Sequence, residues 1–227
     1  MTALPILMFI GFFILVIGLG IWGWLAEKKR REALTILAQS LGLSFSTEKD
    51  RTLAKELSFL DKTQAGSNRY CVNIMRGTYQ SHEILAFEYH YETHSTDSKG
   101  RRKTQHHWLS FVTLRLPRSF PELTIAPEGF FSKIAQAVGY DDIDFESAEF
   151  SRKYVVRSKD RKFAYDFLHA RAIEFILQHP VQHLEIEYDR LAIAKTRRFK
   201  LENLQPRLEE LIALRHLMPD YLLEQTP

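Results

Sequence analysis

The chain contains a single cysteine, Cys71, in 227 residues. One cysteine excludes an intrachain disulfide and any metal site built from cysteines alone. Charge is also missing from one place: no Asp, Glu, Lys or Arg precedes Glu27. Catalytic signatures are scarce. There is no G-x-S-x-G elbow, no P-loop and no G-x-G-x-x-G opening a helix, which removes the usual nucleophile and phosphate cradles. His82 begins "HEILA", but Ala86 stands where a zinc-protease helix needs its second histidine. The net charge of +3 is too small to indicate nucleic acid, and no recognition motif interleaves the basic residues. No nucleic-acid partner and no cofactor are therefore expected.

What is present begins with the uncharged run Leu4–Leu25, "LPILMFIGFFILVIGLGIWGWL". As a helix it extends ~33 Å, about one hydrocarbon thickness. A cleaved signal has a basic start and a shorter apolar centre, whereas this chain opens "MTALP". Gly18 and Gly20 imitate a small-residue cleavage pattern, but the length favours a transmembrane helix. Trp22 and Trp24 suit the interfacial belt. Lys28, Lys29, Arg30 and Arg31 follow at once. The positive-inside bias then leaves the amino terminus outside an inner membrane and residues 27–227 in the cytoplasm.

The remainder has enough apolar residues to fold, and its pattern reads as α+β. The expected organisation is an anchor at 1–26, a juxtamembrane helix at 27–45, a strand-rich part at 46–147 and a β-α-β-β-α part at 148–227. Leu34, Leu37, Ala38 and Leu41 recur at helical spacing, with Gly42 as the stop. Runs 69–79, 82–94 and 106–116 are rich in aromatic and β-branched residues and read as strands, the last ended by Pro117. Between the second and third lies the basic tip "STDSKGRRKTQ". Pairing positions whose numbers sum to 201 sets Leu85, Phe87 and Tyr89 against Leu116, Leu114 and Val112, giving one apolar face. Pro117, Pro121 and Pro127 suggest an irregular link around a short strand "LTI", and 130–139 a helix. The carboxy-terminal part is expected as a strand at 152–158, one helix over 160–178, separate strands at 183–188 and 190–196, and a helix at 203–218 with Asn203 as cap and Pro206 in its first turn.

The stretch "ESAEFSRKYVVRSKDRKFAYDFL", with its flanks and the apolar start, resembles a family of uncharacterised bacterial single-pass membrane-anchored proteins of unknown function. The resemblance covers the last third best. It implies a bacterial source and a membrane address, and it supplies no activity or catalytic residue.

Three constellations carry candidate chemistry. Five histidines fall between residues 82 and 107. On a strand His90 and His94 lie ~13 Å apart, too far for one ion, so only a cross-strand set converges. With the register above that set is His94, His107 and Glu92. Asp142, Asp144 and Glu146 alternate, a pattern expected of a solvent face over buried Ile143 and Phe145, where they could also neutralise the basic tip. Basic residues gather near the span and elsewhere, and Lys28, Lys29, Arg30, Arg31, Arg101, Arg102, Arg157 and Arg161 are the expected contacts with anionic lipid headgroups. The function expected is a membrane-anchored binding module whose partner is the bilayer or another, unknown protein. A metal-assisted hydrolase on the histidine-rich hairpin is the alternative.

Overall fold

The computed structural model describes residues 3–127 and 143–224. The expected helix at 130–139 and Asp142 lie outside the described residues. The first helix, α1 (Ala3–Ser40), is one continuous rod. Its first half exposes Phe9, Phe12, Phe13, Ile17, Ile21 and Trp22 on all sides. Its second half is a core element: Leu34, Ala38 and Leu41 are buried. Gly42, with φ of 73°, ends it as the spacing predicted.

An α+β domain follows, built on one six-stranded antiparallel sheet. The strands are β1 (Ser44–Ser46), β2 (Ser67–Tyr79), β3 (His82–Thr96), β4 (Arg102–Ala126), β5 (Val155–Ser158) and β6 (His183–Thr196). The order is β1-β2-β3-β4-β5, with β6 along β4. One face is covered by α1, α3 (Ala148–Lys153), α4 (Arg161–Phe167), α5 (Ala170–Gln178), α6 (Leu201–Leu217) and α7 (Asp220–Leu223), around Ile84, Ala86, Val112, Leu114 and Leu123. The other face is covered over β2–β3–β4 by α2 (Arg51–Glu56) and the turn after it, around Leu85, Phe87, Tyr89 and Phe111.

Several expectations change in detail. The hairpin pairs Ile84 with Leu114 and Glu92 with His106, so partner numbers sum to 198 rather than 201. The three-residue slip is odd, and an odd slip carries every β4 side chain to the opposite face. Both faces are buried, so either register offered an apolar match. β4 does not stop at Pro117. It continues through Pro117 and Pro121 to Ala126, and "LTI" is its distal part. The prolines are tolerated because pairing with β6 shifts between Arg115, Phe120 and Leu123, while on the other edge β3 has ended and β5 has not begun. The two strands expected at 183–188 and 190–196 are one strand, bent at Tyr188 where φ is 50°, opposite the same irregular stretch of β4. The single helix over 160–178 is two, because His169 is extended and its ring nitrogen donates to the Leu217 carbonyl at 2.8 Å. The last long helix begins at Leu201 with Lys200 as cap, so Pro206 lies inside it rather than in its first turn.

Two devices aim polar groups from β2 at β3. Register shifts bracket Asn68 and Asn73, whose φ angles are 48° and 50°. These are bulges with asparagine in the left-handed region, which asparagine tolerates better than most side chains. Asn68 then donates to the Glu92 carboxylate at 2.6 Å and Asn73 to that of Glu88 at 2.8 Å.

The sense of α1 against the sheet follows from two contacts. A side chain on Gly77, which pairs with Ile84, would meet Leu43 just past the end of α1. Arg30, further back toward the apolar half, reaches Glu88, further forward on β3. Moving toward the apolar half of α1 is therefore moving along β3 toward the hairpin tip.

Gly66 has φ of 68°, and a Cβ there would collide with the Glu92 carbonyl oxygen and the Tyr91 ring. Gly66→Ala should destabilise the fold by about 2 kcal/mol or more from backbone strain and the clash. Thermal unfolding of the purified chain should show the midpoint falling by roughly 4–8 °C.

Candidate functional site

Glu88 is fully buried, yet four donors converge on it. Its Oε2 accepts from Asn73 and from Arg198 Nε, each at 2.8 Å; its Oε1 accepts from the Phe199 backbone N–H at 2.8 Å and from Arg30. Arg198 extends the network with a fork onto both oxygens of Glu27, at 2.7 and 3.0 Å. Arg31 donates to Glu27 at 3.0 Å, and Arg30 also holds the Phe199 carbonyl at 3.0 Å. Two carboxylates thus bind three guanidiniums from two elements. The segment joining β6 to α6 is fastened to α1 one turn past its apolar half. Burial raises the pKa of Glu27, but the bonds from Arg198 and Arg31 and the nearby charges outweigh it, and the net shift is downward.

Beside this network lies a groove of about 560 Å³ between β4, β6 and the start of α6. Val112 and Ile193 pair across the sheet to form its floor, with Trp108 and Phe199 at its sides. Lys195, Arg197, Arg198, Lys200 and Arg207 line it, and no described carboxylate does. The Arg198 guanidinium lies 4.9 Å over the Trp108 ring, a cation–π contact that holds both side chains at the wall. Arg207 is mostly buried at its ion pair with Glu210, 3.3 Å away. An apolar floor under a wall of cations suits a molecule with an anionic head and an oily body.

The residues expected at an anionic surface separate into groups. Lys28 and Lys29 are exposed just past the apolar half of α1, with Lys28 4.0 Å from Glu32. Arg30 and Arg31 turn inward to the carboxylate network. Arg101 bonds Asp97 at 2.8 Å within the hairpin tip, beside exposed Arg102. Arg157 is on β5 and Arg161 opens α4, at the far end of β4 from Trp108. The groove cations Lys195, Arg197 and Lys200 belong to the segment that Arg198 and Phe199 fasten to α1 at Glu27 and Arg30. Asp144 and Glu146 are exposed beside half-buried Phe145, as their alternation suggested, although no strand forms there. They line a second groove with Tyr165 and Ile173, which contains no residue of the basic tip. Cys71 is a buried core residue, and burial pushes its thiol pKa up, away from nucleophilic use.

The hairpin histidines follow the register. His94, Glu92 and His107 are not brought together. His107 shares the opposite face with Thr93 and Tyr91, bonding Thr93 Oγ1 at 2.8 Å and stacking on Tyr91 at 4.7 Å. Both nitrogens of His94 are taken, by Ser67 at 3.0 Å and Thr104 at 3.1 Å. Glu92 is directly opposite His106 and one strand repeat from His90, and the three share one face. His90 is buried, with its ring stacked on Tyr70 at 4.5 Å. That burial lowers its pKa, against the Asn68 carbonyl and the Glu92 charge, which raise it.

No protein-family model matches the chain, and no curated protein matches it. Among solved structures, the crystal structure of a mycobacterial trehalose monomycolate transport factor A, TtfA, is similar. The TM-score is 0.60, covering 87% of this chain and 97% of that one, at 11% identity. At that identity the likeness is one of fold.

Glu88→Gln removes a fully buried charge from two guanidiniums and should cost about 3 kcal/mol, since breaking a buried pair strands its partners. Glu27→Gln should cost about 1 kcal/mol, because that pair is partly exposed. A depressed carboxylate pKa gives stability that is present above the unfolded value and lost as pH falls through the folded one. The gap in melting temperature between the wild type and Glu27→Gln should therefore hold from pH 8 to about pH 5 and narrow as pH falls below the ordinary glutamate value of about 4.3.

Proposed function

We propose that this protein is a single-pass membrane-anchored module that holds an anionic amphiphile, a lipid headgroup with the first part of its chain, in the groove beside the α1 exit. The observation that supports this is positional. The groove cations include Arg198, whose guanidinium is bonded to Glu27, at the start of the helix's polar half. The apolar half of α1 is long enough to span a bilayer and exposes its side chains from Met8 onward. The cations Lys28 to Arg31 support a cytoplasmic domain through the positive-inside bias. The cytoplasmic leaflet is the anionic one, and each nearby Lys or Arg adds about 1 kcal/mol of attraction.

The course of β3 strengthens the reading. Followed from Glu88 away from Ile84, the strand leads to the hairpin tip with Lys99, Arg101, Arg102 and Lys103, on the side where α1 leaves the domain. A ribbon of this length covers ~26 Å from Glu88 to Thr96, whereas Arg30 is only ~6 Å beyond Ala26. The tip therefore reaches the headgroup layer and lies along it. The protein of similar fold is a trehalose monomycolate transport factor, and an amphiphile in the groove is in keeping with that likeness.

The test uses the full chain in nanodiscs. Thr196 is exposed at the groove rim, and Cys71 is buried, so Thr196→Cys accepts a polarity-sensitive dye. Anionic nanodiscs should give a blue-shifted, salt-sensitive signal that neutral ones do not. Replacing Arg197 and Lys200 by Gln should weaken the response to added anionic short-chain lipid about 30-fold, from two lost cations at about 1 kcal/mol each. Equal signals in neutral and anionic bilayers would remove the groove from the account.

A further inference from the structure

We propose that His90, Glu92 and His106 form a zinc-class metal site on the face of the β3–β4 hairpin. The site is independent of the lipid groove. His90 Nε2 is 3.1 Å from His106 Nδ1, and His106 Nδ1 is 3.5 Å from Glu92 Oε1. All three ligand atoms lie within 4.8 Å of one another. Ligands of a tetrahedral zinc, bonded at ~2.1 Å, are about 3.4 Å apart, so the two close edges already match. Two imidazoles and a carboxylate, with a fourth position toward solvent, form a donor set that zinc accepts. The opening is real: the His106 side chain is 61% exposed.

The outer contacts also favour metal binding. His90 Nδ1 lies 3.3 Å from the Asn68 carbonyl oxygen. A carbonyl only accepts, so Nδ1 carries the hydrogen and Nε2 presents its lone pair toward the other two ligands. The Asn68 side chain donates to Glu92 Oε1 at 2.6 Å, which fixes the carboxylate. One bulged asparagine thus orients two ligands from different strand positions. Tyr70 and Trp108 hold the His90 ring from two sides, at 4.5 and 4.8 Å. Cations lie over these two rings, Lys49 and Arg51 over Tyr70 at 4.6 and 5.7 Å and Arg198 over Trp108 at 4.9 Å. Geometrically the site is a cross-strand square: Glu92 opposite His106, and His90 on the diagonal, where cross-strand neighbours remain within reach.

The test is metal analysis of the purified full chain, stripped with a chelator and then dialysed against zinc. The wild type should retain about one zinc per chain. His106→Ala and Glu92→Gln should lose it, and His106 is exposed enough that its replacement leaves the fold intact. His94→Ala and His107→Ala should keep it, since both nitrogens of His94 are bonded elsewhere and His107 is on the opposite face. Asn68→Ala should keep the metal at saturation but bind it about 10- to 100-fold more weakly. Cobalt(II) should give a tetrahedral visible spectrum in the wild type that His106→Ala lacks. Failure of the wild type to retain zinc, or equal retention by His106→Ala, would overturn the assignment and leave the three side chains as a hydrogen-bonded row.

Discussion

A carboxylate that cannot reach water must be answered by donors, and Glu88 is answered by four groups from three separate parts of the chain. Asn73 comes from β2, Arg30 from α1, and Arg198 with the Phe199 N–H from the segment after β6. Leaving out any one exposes a buried charge to a medium that does not solvate it. The network therefore fixes where α1 meets the sheet more tightly than the apolar contacts of Leu34 and Ala38 alone, because apolar contacts tolerate sliding and a forked guanidinium does not.

Once that contact is fixed, the other functional features take their places. The β6–α6 segment is clamped to α1, so the basic groove opens beside the start of the polar half of the helix. β3 continues past Glu88 toward the hairpin tip on the same side. The His90–Glu92–His106 group lies between, with Trp108 packed on His90 and on the groove wall. Two asparagine bulges on β2 perform parallel tasks, one supplying Glu88 and the other Glu92. Both require an asparagine in the left-handed region, where a bulkier side chain is strained.

Much of this was legible in residues. The uncharged opening, the Leu34–Leu41 repeat with its Gly42 stop, the three strand-rich runs and the α+β class follow from periodicity and composition. The hairpin side chains that face one another differ from those expected because the register differs by three, and the cause is two-sided burial. "EILAFEY" is apolar at consecutive positions, so period-two alternation, which ordinarily sets register, carries little information there. Pro117 and Pro121 look like strand breaks, and only the pairing shows that they occupy a stretch with a vacant edge. Glu88 appears in sequence as one more polar residue of a presumed solvent face. The available signal was Asn73, a poor strand former within an apolar run, which marks a bulge with something to bond. The groove was least legible, since its cations and its floor come from β4, β6 and α6 and meet only through folding.

The central claim is that α1 spans the bilayer and delivers the groove to the cytoplasmic leaflet. Its most direct test places a cysteine at Lys200, an exposed groove residue, in the full chain expressed in intact cells, with buried Cys71 as the silent background. The account predicts that a membrane-impermeant maleimide labels this position only after the membrane is opened, with the chain retaining its amino-terminal segment and staying with the membrane fraction. Labelling from outside intact cells, or a shortened chain released from the membrane, would contradict it.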